Sequence, residues 1–134
     1  MQLDPFMRAL GFTGGITAPG EARLAAVVKP EHLNNWGSAH GGFLFALADS
    51  AFALAANSHE QLAVSLAAHI EHMKPCQVGD TLTADAREIN LTRRTGVYQV
   101  EIRKDEVLIA LFTGTVHRMS EKPPSQPTHP EQQP

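Results

Sequence analysis

Apolar and polar positions alternate most regularly around residue 100. Tyr98, Val100 and Ile102 alternate with Gln99, Glu101 and Arg103, a period of two that predicts a strand with one buried and one wet face. Residues 107–118 are apolar on both faces as far as Phe112, which predicts a central strand. Two more strands are predicted over 63–73, ended by Pro75, and over 80–91, led in by a turn at 78–80. The connections at 92–94 and 104–106 are too short for crossovers, so these neighbours pair as antiparallel hairpins.

One stretch breaks the period of two. Residues 41–58 are rich in Ala and Leu, contain no proline, and are apolar around almost their whole circumference. This predicts one long helix, buried on all sides. Upstream, Leu3, Phe6, Met7 and Leu10 fall at helical spacing, so residues 1–11 read as a short amphipathic helix. Residues 12–20 carry three glycines and a proline and read as turn or irregular strand, 21–29 as a strand, and 30–40 as a polar loop turning at Asn34–Asn35. Five of the nine prolines fall in the last twelve residues, so 119–134 read as a disordered or loosely extended tail. The result is an α+β domain over residues 1–118, an antiparallel sheet wrapped around one helix. One helix covers one sheet face, and the remaining face and edges call for a second copy of the chain.

Composition narrows the function. The chain has 134 residues, enough for one domain. A net charge of −3 supplies no basic field for a nucleic-acid backbone, and no apolar run is long enough to span a bilayer. The single cysteine, Cys76, excludes an internal disulfide and suits a reducing compartment. The N-terminus does not read as a signal peptide, so the expectation is a cytoplasmic protein.

Asp49 is the anomaly of the long helix. A carboxylate among apolar residues is costly unless it is paired or working. His40-Gly41-Gly42 opens the same helix, where unpaired N–H groups carry partial positive charge and glycine admits a ligand to the backbone. That is the chemistry of an oxyanion hole, although a plain helix start has the same composition. Asp49 lies eight residues on, ~12 Å along the helix axis. It is too far to act on a carbonyl held at Gly41 of the same chain, whereas Asp49 of an antiparallel second copy could reach it. A site shared across a dimer follows as an expectation. Asn34 reads by itself as a turn residue and Ser65 as a strand residue. Cys76 lacks basic neighbours other than Lys74 and is a poor nucleophile candidate. His69 and His72 sit three apart on a strand, face opposite sides and cannot chelate one metal together. Lys74, Arg93, Arg94 and Arg118, with Thr95 at the hairpin, are basic and polar positions that near one rim would hold phosphates, or are ordinary solvated charge.

The runs HGGFLFALADSAFALAANS (40–58), MKPCQVGDTLTADA (73–86), RRTGVYQVEI (93–102) and ALFTGTVHR (110–118) resemble the hotdog-fold thioesterases of the phenylacetate-pathway (PaaI) type. The resemblance spans residues 3–119 in order. It implies a hotdog fold, dimers that usually pair into tetramers, and hydrolysis of acyl-CoA thioesters, phenylacetyl- and hydroxyphenylacetyl-CoA above all. By motif position Asp49 matches the catalytic carboxylate, as general base or nucleophile. Gly41 matches the N–H that polarises the carbonyl, with His40 beside it. Asn34 matches the loop asparagine that places the thioester or water from the partner subunit, and Ser65 a strand serine that assists Asp49 in some relatives. Lys74, Arg93, Arg94, Thr95 and Arg118 match loosely the segments that hold coenzyme A. No metal or redox cofactor is implied. Two other readings stay open here: a hotdog hydratase or dehydratase using His40 and Asp49, and a non-catalytic acyl-CoA-binding module.

Overall fold

The computed structural model describes residues 2–120. The Pro-rich segment read as a tail therefore lies, from residue 121 on, outside the described residues. In chain order the elements are α1 (Pro5–Ala9), β1 (Thr13–Ala18), β2 (Glu21–Val27), a 3-10 turn (Pro30–His32), α2 (Gly41–Ala56), β3 (Ala63–His72), β4 (Thr81–Leu91), β5 (Thr95–Lys104) and β6 (Val107–Arg118). All strands join one antiparallel sheet in the order β1-β2-β4-β5-β6-β3. The curved sheet wraps α2, which touches every strand, so the architecture is the hotdog fold.

The hairpins form where the short connections required them. At the β4–β5 turn the Thr92 N–H donates to the Thr95 carbonyl (2.8 Å) and the Thr95 N–H to Thr92 Oγ1 (3.0 Å). Residues 12–20 form the irregular strand and turn that their glycines suggested. They build β1 and the turn into β2, with an irregularity between Ile16 and Ala18. Gly14 is required there, because a Cβ would collide with the Arg23 carbonyl. The N-terminal helix is shorter than predicted. Asp4 caps it by accepting the Met7 N–H at 2.8 Å, Pro5 fills its first turn, and Gly11 at φ 78 follows its end.

Leu44, Leu47, Ala51, Phe52 and Leu54 of α2 are buried against Leu24, Leu82, Tyr98, Val100, Ile102 and Phe112 of the sheet. At roughly 25 cal/mol per Å² of apolar surface, such burial is the main force holding sheet to helix. The expectation that α2 is buried on all sides needs correction. Phe45 is 36% exposed, and Gly42, Ala46, Asp49 and Ala53 share its stripe at least partly open. The physical reason is that one curled sheet encloses only part of a cylinder. At the far edge, among the described residues, β3 pairs only with β6 and leaves Val64 and Leu66 exposed.

Candidate active site

The loop before α2 is shaped by Asn34. Its Oδ1 accepts the N–H groups of Trp36 (2.9 Å) and Ser38 (3.1 Å), and its own N–H donates to the Ser38 carbonyl (2.8 Å). Such side-chain mimicry of a backbone turn is what asparagine does best. Gly37 completes the turn at φ 84. A hydrogen bond from the Ala39 N–H to the Cys76 carbonyl (2.9 Å) clips this loop to the bend after β3.

His40 is the N-cap of α2. Its Nδ1 accepts the Gly42 N–H at 2.8 Å, and its carbonyl accepts from Phe43 and Leu44. His40 lines a groove with Phe6, Leu10 and Phe43 and is not among the residues lining the neighbouring cavity. Gly41 then presents a first-turn N–H with no acceptor among the described residues. It borders a cavity of about 370 Å³ that Asn34, Trp36, Leu44, His72 and Lys74 also line. Asn34 and Gly41 of one chain thus line the same cavity. His72 is the residue that sequence reasoning missed. Strand alternation places it on a face but cannot say that the end of β3 meets the start of α2.

Asp49 sits two turns further along α2, on the open stripe and outside that cavity. It has no hydrogen-bond partner among the described residues, and burial pushes its carboxyl pKa above the ordinary value. Ser65 is exposed on the edge strand at the β3–β6 irregularity. One chain therefore does not bring Asp49, Ser65 and Gly41 into a single pocket.

The basic residues divide the same way. Arg93, Arg94, His117 and Arg118 line a second cavity of about 340 Å³ together with Gln61. Arg118 pairs with Ala63 where β3 begins, whereas Lys74 follows its end. The ten residues of β3 hold the two groups roughly 30 Å apart. The reading of one basic rim is thus corrected for the single chain, because antiparallel pairing sends the two groups to opposite ends of the sheet. Thr95 bonds Thr92 Oγ1 at 2.7 Å and Arg118 Nη1 donates to the Thr92 carbonyl at 2.6 Å, so both also hold the hairpin. Cys76 is fully buried, and burial raises its thiol pKa.

A curved sheet around one helix, with a free amide at the helix start and a lone carboxylate on its open stripe, defines a class. The chain belongs to the thioesterase superfamily, whose profile matches residues 37–110. Within it the chain is an acyl-CoA thioesterase of the PaaI type. It is 41% identical over 117 residues to the acyl-coenzyme A thioesterase PaaI of Escherichia coli K12, covering 87% of this chain and 84% of that one. A mutant of the phenylacetic acid degradation protein PaaI from Thermus thermophilus superposes with a TM-score of 0.84 at 51% identity, over 87% of this chain and 100% of that one. A Streptococcus mutans protein solved bound to acetyl CoA superposes with a TM-score of 0.76 at 28% identity, over 83% and 92% of the two chains. Among the described residues no helix is long and apolar enough to cross a membrane.

Proposed function

We propose that the substrate is an aryl-acetyl thioester of coenzyme A, of the phenylacetyl- or hydroxyphenylacetyl-CoA kind, and that two copies of the chain share each active site. The acyl group follows the phenylacetic acid degradation proteins to which the chain is similar, and one observation carries the shared site. Among the described residues, the cavity holding the free Gly41 N–H is lined by no carboxylate, while Asp49 stands unpaired on a partly open helical stripe. An antiparallel pairing of β3 with β3 of a second copy would cover that stripe and the exposed edge together. It would also set the Lys74 end of one chain beside the Arg93, Arg94 and Arg118 end of the other, giving the coenzyme A phosphates cations from both.

In the mechanism, the carbonyl oxygen accepts the Gly41 N–H and Asn34 positions the thioester or the water. Asp49 of the second copy takes a proton as water bonds to the carbonyl carbon, assisted by Ser65. The negative charge collects on oxygen opposite the helix N-terminus, where the dipole favours it. Collapse breaks the C–S bond, the electron pair leaves with sulfur, and the thiolate is protonated to coenzyme A. The raised pKa of Asp49 favours proton acceptance, since an ordinary aspartate is a weak base. Direct attack by Asp49 would instead expel the thiolate and give a mixed anhydride, and water opening it at the Asp49 carbonyl in a single turnover in heavy-oxygen water would label the Asp49 carboxylate. Neither route calls for a metal or redox cofactor. A thiol-release assay over a panel of acyl-CoAs tests the reading, with the wild type beside Asp49→Ala. Preference for aryl-acetyl thioesters and loss in the variant support it. Undiminished hydrolysis in Asp49→Ala removes the catalytic assignment.

A further inference from the structure

We propose that His72 supplies a second hydrogen bond to the thioester carbonyl oxygen, beside the Gly41 N–H. The inference rests on the reading of Gly41 as the carbonyl site, but not on the dimer, since both residues belong to one chain.

Three observations bring His72 to this position. First, it closes β3 opposite Ala110, and the chain bends there, because the N–H groups of Met73 (2.8 Å) and Lys74 (3.2 Å) both donate to the Ile109 carbonyl. The bend holds the last side chain of the strand against the start of α2. Second, its Nε2 lies 3.4 Å from where a Cβ on Gly41 would stand. The imidazole therefore borders the space that the glycine leaves open at the start of α2. Third, the ring lines the same cavity as Gly41 and Asn34 and has no hydrogen-bond partner among the described residues.

A ring nitrogen there serves a chemical need. An oxyanion has lone pairs for more than one donor, and a helix N-terminus offers one amide here, because the Gly42 N–H is taken by His40. A neutral imidazole with its proton on Nε2 donates without adding a fixed charge. Lys74 is the other titratable side chain lining the cavity. As a coenzyme A phosphate ligand it would act on binding and leave the carbonyl alone.

The test compares wild type with His72→Phe, His72→Gln and Lys74→Met, all full-length. His72 is exposed at a strand end, a place where substitutions seldom upset folding. Kinetics on phenylacetyl-CoA give the first readout. His72→Phe should lower kcat by about 10²-fold with KM unchanged, as losing one oxyanion donor does, and His72→Gln should restore part of it. The second readout is the infrared carbonyl band of a bound, carbon-13-labelled ketone analogue in which a methylene replaces the thioester sulfur. That band should lie at lower frequency in wild type than in His72→Phe, with His72→Gln between them. Lys74→Met should leave it in place. The proposal is overturned if wild type and His72→Phe give the same band, if Lys74→Met alone moves it, or if KM rather than kcat changes. Should the wild type bind the analogue yet hydrolyse no thioester, the thioesterase reading fails while the band still decides the role of His72.

Discussion

The Nδ1 of His40 accepts the Gly42 N–H at 2.8 Å, which leaves Gly41 as the amide turned to the cavity. The histidine of the HGG run is thus a cap that lines a separate groove. Asparagine is a strong N-cap and leucine is not. His40→Asn should therefore keep both stability and most of the thioesterase activity. His40→Leu should lose about 1 kcal/mol of stability and activity with it. Denaturant melts and thiol release check both. If His40 instead took part in the chemistry, the two variants would be equally inactive.

Asp49 is expected to trade stability for activity. Burial raises its pKa, so the folded state binds the proton more tightly than the unfolded chain. A carboxyl shifted upward leaves the native state most favoured below the unfolded pKa. That contribution is lost as pH rises through the folded value. At neutral pH the charged form is therefore a burden on the fold. Asp49→Asn should raise Tm at pH 7, and the gain should vanish at about pH 3, below the ordinary aspartate pKa. The same variant should lose about 10²-fold or more in kcat. Calorimetry across pH beside thiol release checks the pair of effects, and a variant less stable than wild type at pH 7 refutes the first.

Local patterns made much of this fold legible. The two-residue period at Tyr98–Ile102 and the short links at 92–94 and 104–106 led directly to β5 and its hairpins. The unbroken apolar run led to α2. The strand order was not legible, because β3 lies beside β6, far along the chain. For the same reason the sequence does not place His72 beside Gly41, nor Lys74 at the opposite end of the sheet from Arg93, Arg94 and Arg118. Residues 12–20 read as turn or irregular strand and form β1 with its irregularity, and Gly14 there is demanded by close approach to Arg23.

Glu88 joins two segments through one oxygen. Its Oε1 accepts the Tyr98 O–H at 2.7 Å and bonds His59 Nε2 at 2.7 Å. Burial pushes the Glu88 pKa up, but the bonds from His59 and Tyr98 and the charges of His59 and Arg118 outweigh it, so the net shift is downward. A depressed carboxyl stabilises the fold above its unfolded pKa, and the contribution is lost as pH falls through the folded value. Tyr98→Phe should cost about 1–2 kcal/mol at neutral pH. The gap from wild type should narrow on acidification below pH ~4, as Glu88 becomes protonated. Urea titrations at several pH values measure it, and a gap independent of pH would refute the link to Glu88.

Gly114 of β6 lies beneath the Phe52 ring. A Cβ there would stand 2.7 Å from the ring edge, and Phe52 is buried against Tyr98 and Phe112. Gly114→Ala should destabilise by about 1–3 kcal/mol through overpacking. Gly114→Ala with Phe52→Leu should recover part of that loss, because leucine vacates the space. Melting curves of the single and double variants decide, and additive losses would mean that the two sites do not share the strain.

Sharing of the active site can be tested by complementation. Gly41 is the first residue of α2 and follows an extended His40 at ψ 138. Proline suits such a first position, with a preceding residue in that conformation. Gly41→Pro therefore removes the free N–H without breaking the helix. Asp49→Ala removes the carboxylate and leaves the amide. Each variant alone should be nearly inactive, with both sites of its dimer damaged. In mixed dimers one site would carry both lesions and the other neither. Refolding equal amounts of the two, then isolating heterodimers by differential tags, should restore activity toward half of the wild-type value per dimer. If Asp49 served the Gly41 of its own chain, every site would keep one lesion. Verified heterodimers would then stay as inactive as the parents, which would overturn the shared site.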